Sequence, residues 1–292
     1  MERSTTVLRK LLAQQSLIVA PGAYDPYTAR LIESLGFSAV YLGGNAMGSH
    51  LVVGEPLMTL TETVDCAARV LRAIKVPLIV DADAGFGDPV HTCRAVEEFE
   101  RVGVAAIHIE DQPFPKRAHY HKGKGRAIEL NAVLDKLKAA LDARRDPDFV
   151  IIGRTDIFRL TRDIDQVMER LAAYREIGVD VLMPLGVGPA EMRVIGQKFS
   201  DVPMLFLTGA YPGEHSTREV ADMGFRILIY PTTTQAIITE AILDVYGKVR
   251  DDGITGMGDE RIAALRAKNL EVLGMSRYWA IEERTTERSG DA

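Results

Sequence analysis

The sequence predicts an α/β fold, a (β/α)8 TIM barrel followed by a C-terminal helical extension. Three observations carry that expectation. Eight short apolar runs recur along the 292 residues. Amphipathic stretches of helical spacing lie between them, and a Gly-rich, polar segment sets the last part of the chain apart. Strands buried on both faces read as near-continuous apolar runs, and eight β–α repeats in about 250 residues match the count and length of such a barrel. The alternative is an open doubly wound sheet, but no G-x-G-x-x-G follows the first run.

The runs, in order, are "LIVA" (17–20), "AVYL" (39–42), "LIVD" (78–81), "AAIHIE" (105–110), "FVIIGR" (149–154), "DVLM" (180–183), "MLFL" (204–207) and "ILIY" (227–230). None alternates cleanly, as a half-wet antiparallel strand would. "PYTARLIESLG", "TLTETVDCAARVLRAIK", "VHTCRAVEEFERVG", "AVLDKLKAALDAR" and "IDQVMERLAAYREIG" carry apolar residues at helical spacing. Gly36, Gly103 and Gly178 stand where a helix ends in a left-handed residue. The expected division is a catalytic barrel over residues 1–250 and a helical extension over 251–292. In that extension Ile262, Leu265, Leu270, Val272 and Leu273 lie near one stripe, with Trp279 beyond, and a stripe of that kind needs a partner surface.

A net charge of −6 with both signs interspersed offers no basic face for nucleic acid. No apolar run reaches the roughly 20 residues that cross a bilayer. The N-terminus alternates polar and apolar residues at helical spacing, which does not fit a secretory signal. A cytoplasmic protein is expected. Cys66 and Cys93 fall in helical stretches without metal-type spacing and are expected to be buried thiols.

A barrel of this kind builds its active site at the C-terminal ends of the strands. There the chain places the Gly43–Gly44–Asn45 turn, Asp81 and Asp83, Glu110 and Asp111, Arg154 and Asp156, Pro184, Thr208 and Pro231. Several carboxylates thus share one mouth with one arginine. Like charges that close raise one another's pKa or recruit a cation. Oxygen ligands without His or Cys suit Mg²⁺ or Mn²⁺. Arg154 then offers a fork to a substrate carboxylate. Helix capping is the competing reading for Asp88 and Asp156. It does not account for three acids, Asp81, Asp83 and Glu110, around one opening.

"VDADAGFGDP", "IEDQPFPKR" and "IIGRTD", in that order, resemble the isocitrate lyase/phosphoenolpyruvate mutase superfamily. "APGAYDPYTARLIESLGFSAVYLGG" and "LIYPTTT" are similar to it too, so the resemblance spans about residues 5–250. It implies a Mg²⁺-dependent enzyme acting on small 2-oxo or 2-hydroxy acids through an enolate. It also implies a homo-oligomer, usually a tetramer, in which paired subunits exchange their last helices. On this resemblance Asp81 and Asp83 hold the metal directly or through water, and Glu110 joins through water. Arg154 binds the substrate carboxylate and the developing enolate, and the backbone at Gly43, Gly44 and Asn45 grips the same end. Tyr41 lines the pocket, and Thr208 is a further candidate contact.

The chain also departs from the pattern. Lyases of the family read "PKRCGH" after the fourth strand; here it is "PKRAHYHKGKG", with Ala118 at the cysteine position and Gly123 and Lys124 retained. Lys116, His119, Tyr120 or His121 would have to replace the missing acid, unless the loop is merely a solvated one. Pro184 stands where the lyases have a glutamate. Glu55 in "VVGEP" is the nearest acid to a family aspartate, displaced by about one position. These departures argue against isocitrate-type cleavage and resemble the oxaloacetate decarboxylase branch. A P–C bond enzyme of the phosphonopyruvate hydrolase or mutase type is an alternative, and a weakly active relative that binds a dicarboxylate is another.

Overall fold

The structure is a computed structural model. It describes residues 2–14, 16–209 and 214–286; the side chains of Tyr120 and His121 also lie outside the described set. Eight strands form among the described residues: β1 (Ile18–Ala23), β2 (Val40–Leu42), β3 (Leu78–Asp81), β4 (Ala106–Glu110), β5 (Val150–Thr155), β6 (Val181–Pro184), β7 (Leu205–Leu207) and β8 (Ile227–Tyr230). Each matches one apolar run. The helices are α1 (Ser4–Ala13), α2 (Pro26–Ser34), α3 (Gly44–Leu51), α4 (Leu60–Leu71), α5 (Pro89–Val102), α6 (Leu130–Ala143), α7 (Ile157–Thr161), α8 (Ile164–Glu176), α9 (Pro189–Lys198), α10 (Thr217–Asp222), α11 (Thr233–Asp252), α12 (Asp259–Val272) and α13 (Met275–Thr285).

All strand pairs are parallel and run β6-β5-β4-β3-β2-β1-β8-β7. A lone bridge among the described residues, Leu182 to Met204, brings β6 against β7 and nearly closes the barrel. Because side chains alternate along a strand, the core forms two layers. Ile18, Ile79, Ala106, Val150, Ile152, Val181, Leu205, Ile227 and Ile229 fill the barrel, and Leu8 and Leu12 of α1 pack with them. Val80, Ile107, Ile151, Leu182, Phe206 and Leu228 face the surrounding helices.

Local signals set the helix ends. Asp25 and Thr59 form capping boxes at α2 and α4. Gly36, Gly103 and Gly178 take positive φ, as expected. Asp88 caps α5 by accepting the His91 N–H at 3.0 Å. Asp156 does not cap α7; its carboxylate is taken by Arg154. Cys66 is buried, but Cys93 is half-buried, with Sγ 3.4 Å from the Ala139 carbonyl on α6.

The chain divides into two compact units, Met1–Gln235 and Ala236–Ala292. The first holds the barrel. The second is helical and exposes Ile242, Leu243, Tyr246, Leu265, Leu273 and Trp279. Among the described residues no helix is long and apolar enough to cross a membrane.

Candidate active site

The same alternation that fills the barrel decides what its mouth presents. Ile79 points inward on β3, so Asp81 does too; Ala106 on β4 is followed inward by His108 and Glu110; Val150 and Ile152 on β5 are followed by Arg154. Strand register sets Asp81 opposite His108 and Glu110 opposite Arg154. Asp111 is one residue out of phase and leaves the mouth. It accepts from the Thr155 hydroxyl at 2.6 Å and the Asp156 N–H at 2.9 Å, and pairs with Arg170.

Arg154 is the hub. Its Nε donates to Asp156 Oδ1 at 2.7 Å and Nη2 to Asp156 Oδ2 at 3.0 Å. Nη2 also lies 3.0 Å from Glu110 Oε2, and Nη1 is 3.8 Å from Asp81 Oδ2. Asp81 accepts the Asp83 N–H at 2.9 Å and the Gly44 N–H at 3.2 Å. Burial alone would raise the Asp81 carboxyl, but His108, Arg154 and Lys116 hold it well below the usual carboxylate range. His108 lies fully buried, its Nε2 2.9 Å from the Tyr41 hydroxyl and its Nδ1 3.6 Å from Asp81. Burial pushes its pKa down to about 4, so the ring is neutral at pH 7.

Lys116, from the loop after β4, enters this cluster with a side chain 1% exposed. Its ammonium sits 2.8 Å from Glu55, 2.9 Å from Glu110 and 3.1 Å from Asp83. Burial would lower its pKa, but Glu110, Asp83 and Glu55 outweigh that and raise it well above normal. Burial pushes Glu110 up to about 8, against the pull of Arg154 and Lys116. Asp83 holds a left-handed backbone, φ +50°, which a short hydrogen-bonding side chain tolerates.

A cavity of about 330 Å³ opens at the mouth. Tyr41, Gly43, Gly44, Asn45, Asp81, Arg154 and Thr208 all line it. The Gly43–Asn45 segment opens α3 rather than forming a free turn. A Cβ on Gly44 would come within 3.0 Å of Glu55 and 3.2 Å of Asp81, so glycine lets that backbone approach. Asp83, Glu110 and Lys116 lie behind the cavity wall rather than on it. His119 is exposed on the 3-10 turn Ala118–Lys122 and does not line the cavity; the Tyr120 side chain is outside the described set. Glu55 does reach the cavity, although it was legible only as the nearest acid to a family position. Arg159 of α7, Leu185 just after β6 and Leu207 at the end of β7 line it with no advance signal in the sequence. Thr232 lines it as well, whereas Thr234 donates to the Gly22 carbonyl at 2.5 Å.

Comparison with known proteins agrees with the barrel fold. The phosphoenolpyruvate phosphomutase family model matches residues 8–250. The 2,3-dimethylmalate lyase of Eubacterium barkeri is 38% identical over 285 residues, covering 94% of this chain and 96% of the relative. An oxaloacetate decarboxylase of Rhodopseudomonas palustris is 34% identical, covering 84% of each. Among solved structures, a crystal structure of 2,3-dimethylmalate lyase superposes with a TM-score of 0.87 at 30% identity, covering 100% of this chain and 99% of the other. A phosphonopyruvate hydrolase in complex with oxalate and Mg²⁺ superposes with a TM-score of 0.84 at 25% identity, covering 98% and 100%. With matching motifs, barrel and coverage, the chain belongs to the phosphoenolpyruvate phosphomutase family, within the phosphoenolpyruvate mutase/isocitrate lyase superfamily.

Proposed function

We propose that the protein is a Mg²⁺-dependent carbon–carbon lyase or decarboxylase acting on a small 2-oxo or 2-hydroxy dicarboxylate through an enolate, with Mn²⁺ as a substitute metal. The observation that carries this reading is Arg154, a buried guanidinium that faces the cavity from within a ring of carboxylates. The donor chemistry fits a hard cation: Glu55, Asp81, Asp83 and Glu110 supply oxygen alone, and the Glu110 carboxylate is held by the two cations Arg154 and Lys116. Asp81, Asp83 and Glu110 would hold the ion. When bound, it supplies positive charge that lets a carboxylate substrate enter an acidic mouth and that stabilises negative charge developing on oxygen.

The chain's own groups do the rest. Arg154 binds and orients the substrate carboxylate. Gly43, Gly44 and Asn45, at the start of α3, line the same cavity, and a helix N-terminus favours an anion. Leu185, Leu207 and Pro231 supply an apolar wall for a carbon branch, which favours carbon–carbon over P–C chemistry. None of the described side chains of the loop after β4 lines the cavity. Decarboxylation of a 2-oxo acid, with the enolate protonated from water, therefore needs no further group. Cleavage of a 2-hydroxy acid needs a base for the hydroxyl, and His119 and Tyr120 are the candidates on that loop; Lys116, kept an ammonium by its three acids, can only donate a proton. The deciding experiment is metal-dependent turnover of oxaloacetate, 2,3-dimethylmalate and phosphonopyruvate, read as pyruvate formed. No turnover of any of them, or turnover of phosphonopyruvate alone, overturns the reading.

Among the described residues no three His, Cys, Asp or Glu side chains stand ready to hold an ion together, and Lys116 supplies the reason. Its ammonium already occupies the space between Glu55, Asp83 and Glu110. Metal entry then requires that ammonium to leave. Lys116→Met is expected to tighten Mn²⁺ binding in the substrate-free protein by about 10-fold, one strong ionic contact's worth. Titration followed by the Mn²⁺ electron paramagnetic resonance signal reads it. Equal affinity in both proteins would refute the competition.

The barrel would be the catalytic domain, and the helical extension a pairing element of a homotetramer built as a dimer of helix-exchanged dimers. Its exposed Leu265, Leu273, Tyr278 and Trp279 support this. Truncation near residue 250 is expected to give aggregates or unstable monomers by light scattering. A soluble, fully active monomer would refute it.

A further inference from the structure

We infer that Arg159 is the specificity contact for the distal anionic group of the substrate, an inference that rests on the proposed function. Two guanidiniums line the 330 Å³ cavity, Arg154 from β5 and Arg159 from α7 just beyond it. One buried carboxylate lies between them. Asp156 takes Arg154 in a two-point contact at 2.7 and 3.0 Å, and its Oδ2 lies 3.7 Å from Arg159 Nη1. Gln112 donates to the same Oδ2 at 3.2 Å and fixes the carboxylate. Arg154 is spent on Asp156, Glu110 and the head of the substrate. Arg159 Nη1 stands 3.7 Å from Asp156 Oδ2, and its side chain is 39% exposed on the wall of the cavity.

The route of the Arg159 stem is built. Gly186, in the loop after β6, has φ +80°, and a Cβ there would fall 2.5 Å from Arg159 Cγ. Any other residue at 186 would be strained and would push the stem aside. The same loop turns Leu185 into the cavity, opposite Leu207. The cavity is thus cationic at two points and apolar between β6 and β7. A four-carbon dicarboxylate with an alkyl branch matches that pattern. Its first carboxylate meets Arg154, its second meets Arg159, and the branch meets Leu185 and Leu207.

The test is calorimetric binding, with Mg²⁺ present, of three probes. Oxalate has no distal extension. 2-Methylmalate has the second carboxylate. 2-Hydroxy-2-methylbutyrate has a methyl in its place. Wild-type protein is expected to prefer 2-methylmalate to the monocarboxylate by about 10- to 100-fold, the range for a charge-assisted hydrogen bond. Arg159→Met should abolish that preference and leave oxalate unchanged; Arg159→Lys should keep part of it, since an ammonium keeps the charge and loses the fork. A preference unchanged in Arg159→Met, or an equal loss for all three probes, overturns the assignment. Wild-type protein that binds neither oxalate nor 2-methylmalate overturns the proposed function and this contact with it.

Discussion

Arg154→Lys is expected to lower kcat/KM by about 30-fold or more. A guanidinium presents parallel donors in a rigid plane; an ammonium is a point charge on a flexible stem. Hydrogen bonds to charged groups contribute about 1.5–3 kcal/mol each. Losing the fork thus costs about 2 kcal/mol or more in the transition state, and about 1.4 kcal/mol is tenfold in rate. The geometry adds a structural cost. Arg154 serves Asp156 and Glu110 at once, and a lysine at 154 cannot reproduce both contacts. Leaving either acid buried without its partner is costly. Steady-state kinetics and thermal unfolding should be measured together. Lower thermal stability with wild-type kcat/KM would make Arg154 a structural residue.

Asp83→Ala is expected to weaken Mn²⁺ binding by at least about 100-fold and to remove turnover, as excess chelator should do to the wild type. Asp83 has two roles. Its carboxylate faces the cation position now held by Lys116, and its backbone holds the β3 end, donating to Asp81 and accepting from Glu110. Alanine keeps the backbone bonds but must hold φ +50°, at about 1–2 kcal/mol. Asp83→Asn removes that ambiguity, because asparagine tolerates the left-handed region. Both variants should lose metal affinity alike, and alanine should lose more stability than asparagine. Full activity in excess chelator would refute the metal assignment.

The barrel was legible because each strand is buried on both faces and reads as an apolar run, with Gly36, Gly103 and Gly178 marking helix ends. Asp81, Glu110 and Arg154 were legible as strand ends at one mouth; the alternation that keeps them there and turns Asp111 away was not. Asp156 was left open: an acid two residues past an apolar run reads equally as a cap, and only the distance to Arg154 decides against it. "GGNAMGS" reads as a turn because three glycines and an asparagine form helices poorly. It forms α3 in a tertiary setting that includes the bond from the Gly44 N–H to Asp81. The lysine cage depends on a loop folding back over the barrel and Arg159 on the short helix α7 after β5, and no periodicity encodes either.

The lone bridge between β6 and β7 has a consequence for the cavity. Leu185 and Leu207 stand at the ends of these two strands, while the acid cluster stands on β3, β4 and β5, which are tied by continuous ladders. Local opening costs least where backbone hydrogen bonds are fewest. Breathing of the molecule therefore widens the apolar side of the pocket and leaves the charged side in place. Substitutions along that seam can change the size of branch the pocket admits without disturbing the groups that grip the carboxylate. The barrel thus separates a rigid half, where the chemistry must be exact, from a compliant half, where the choice of substrate can drift.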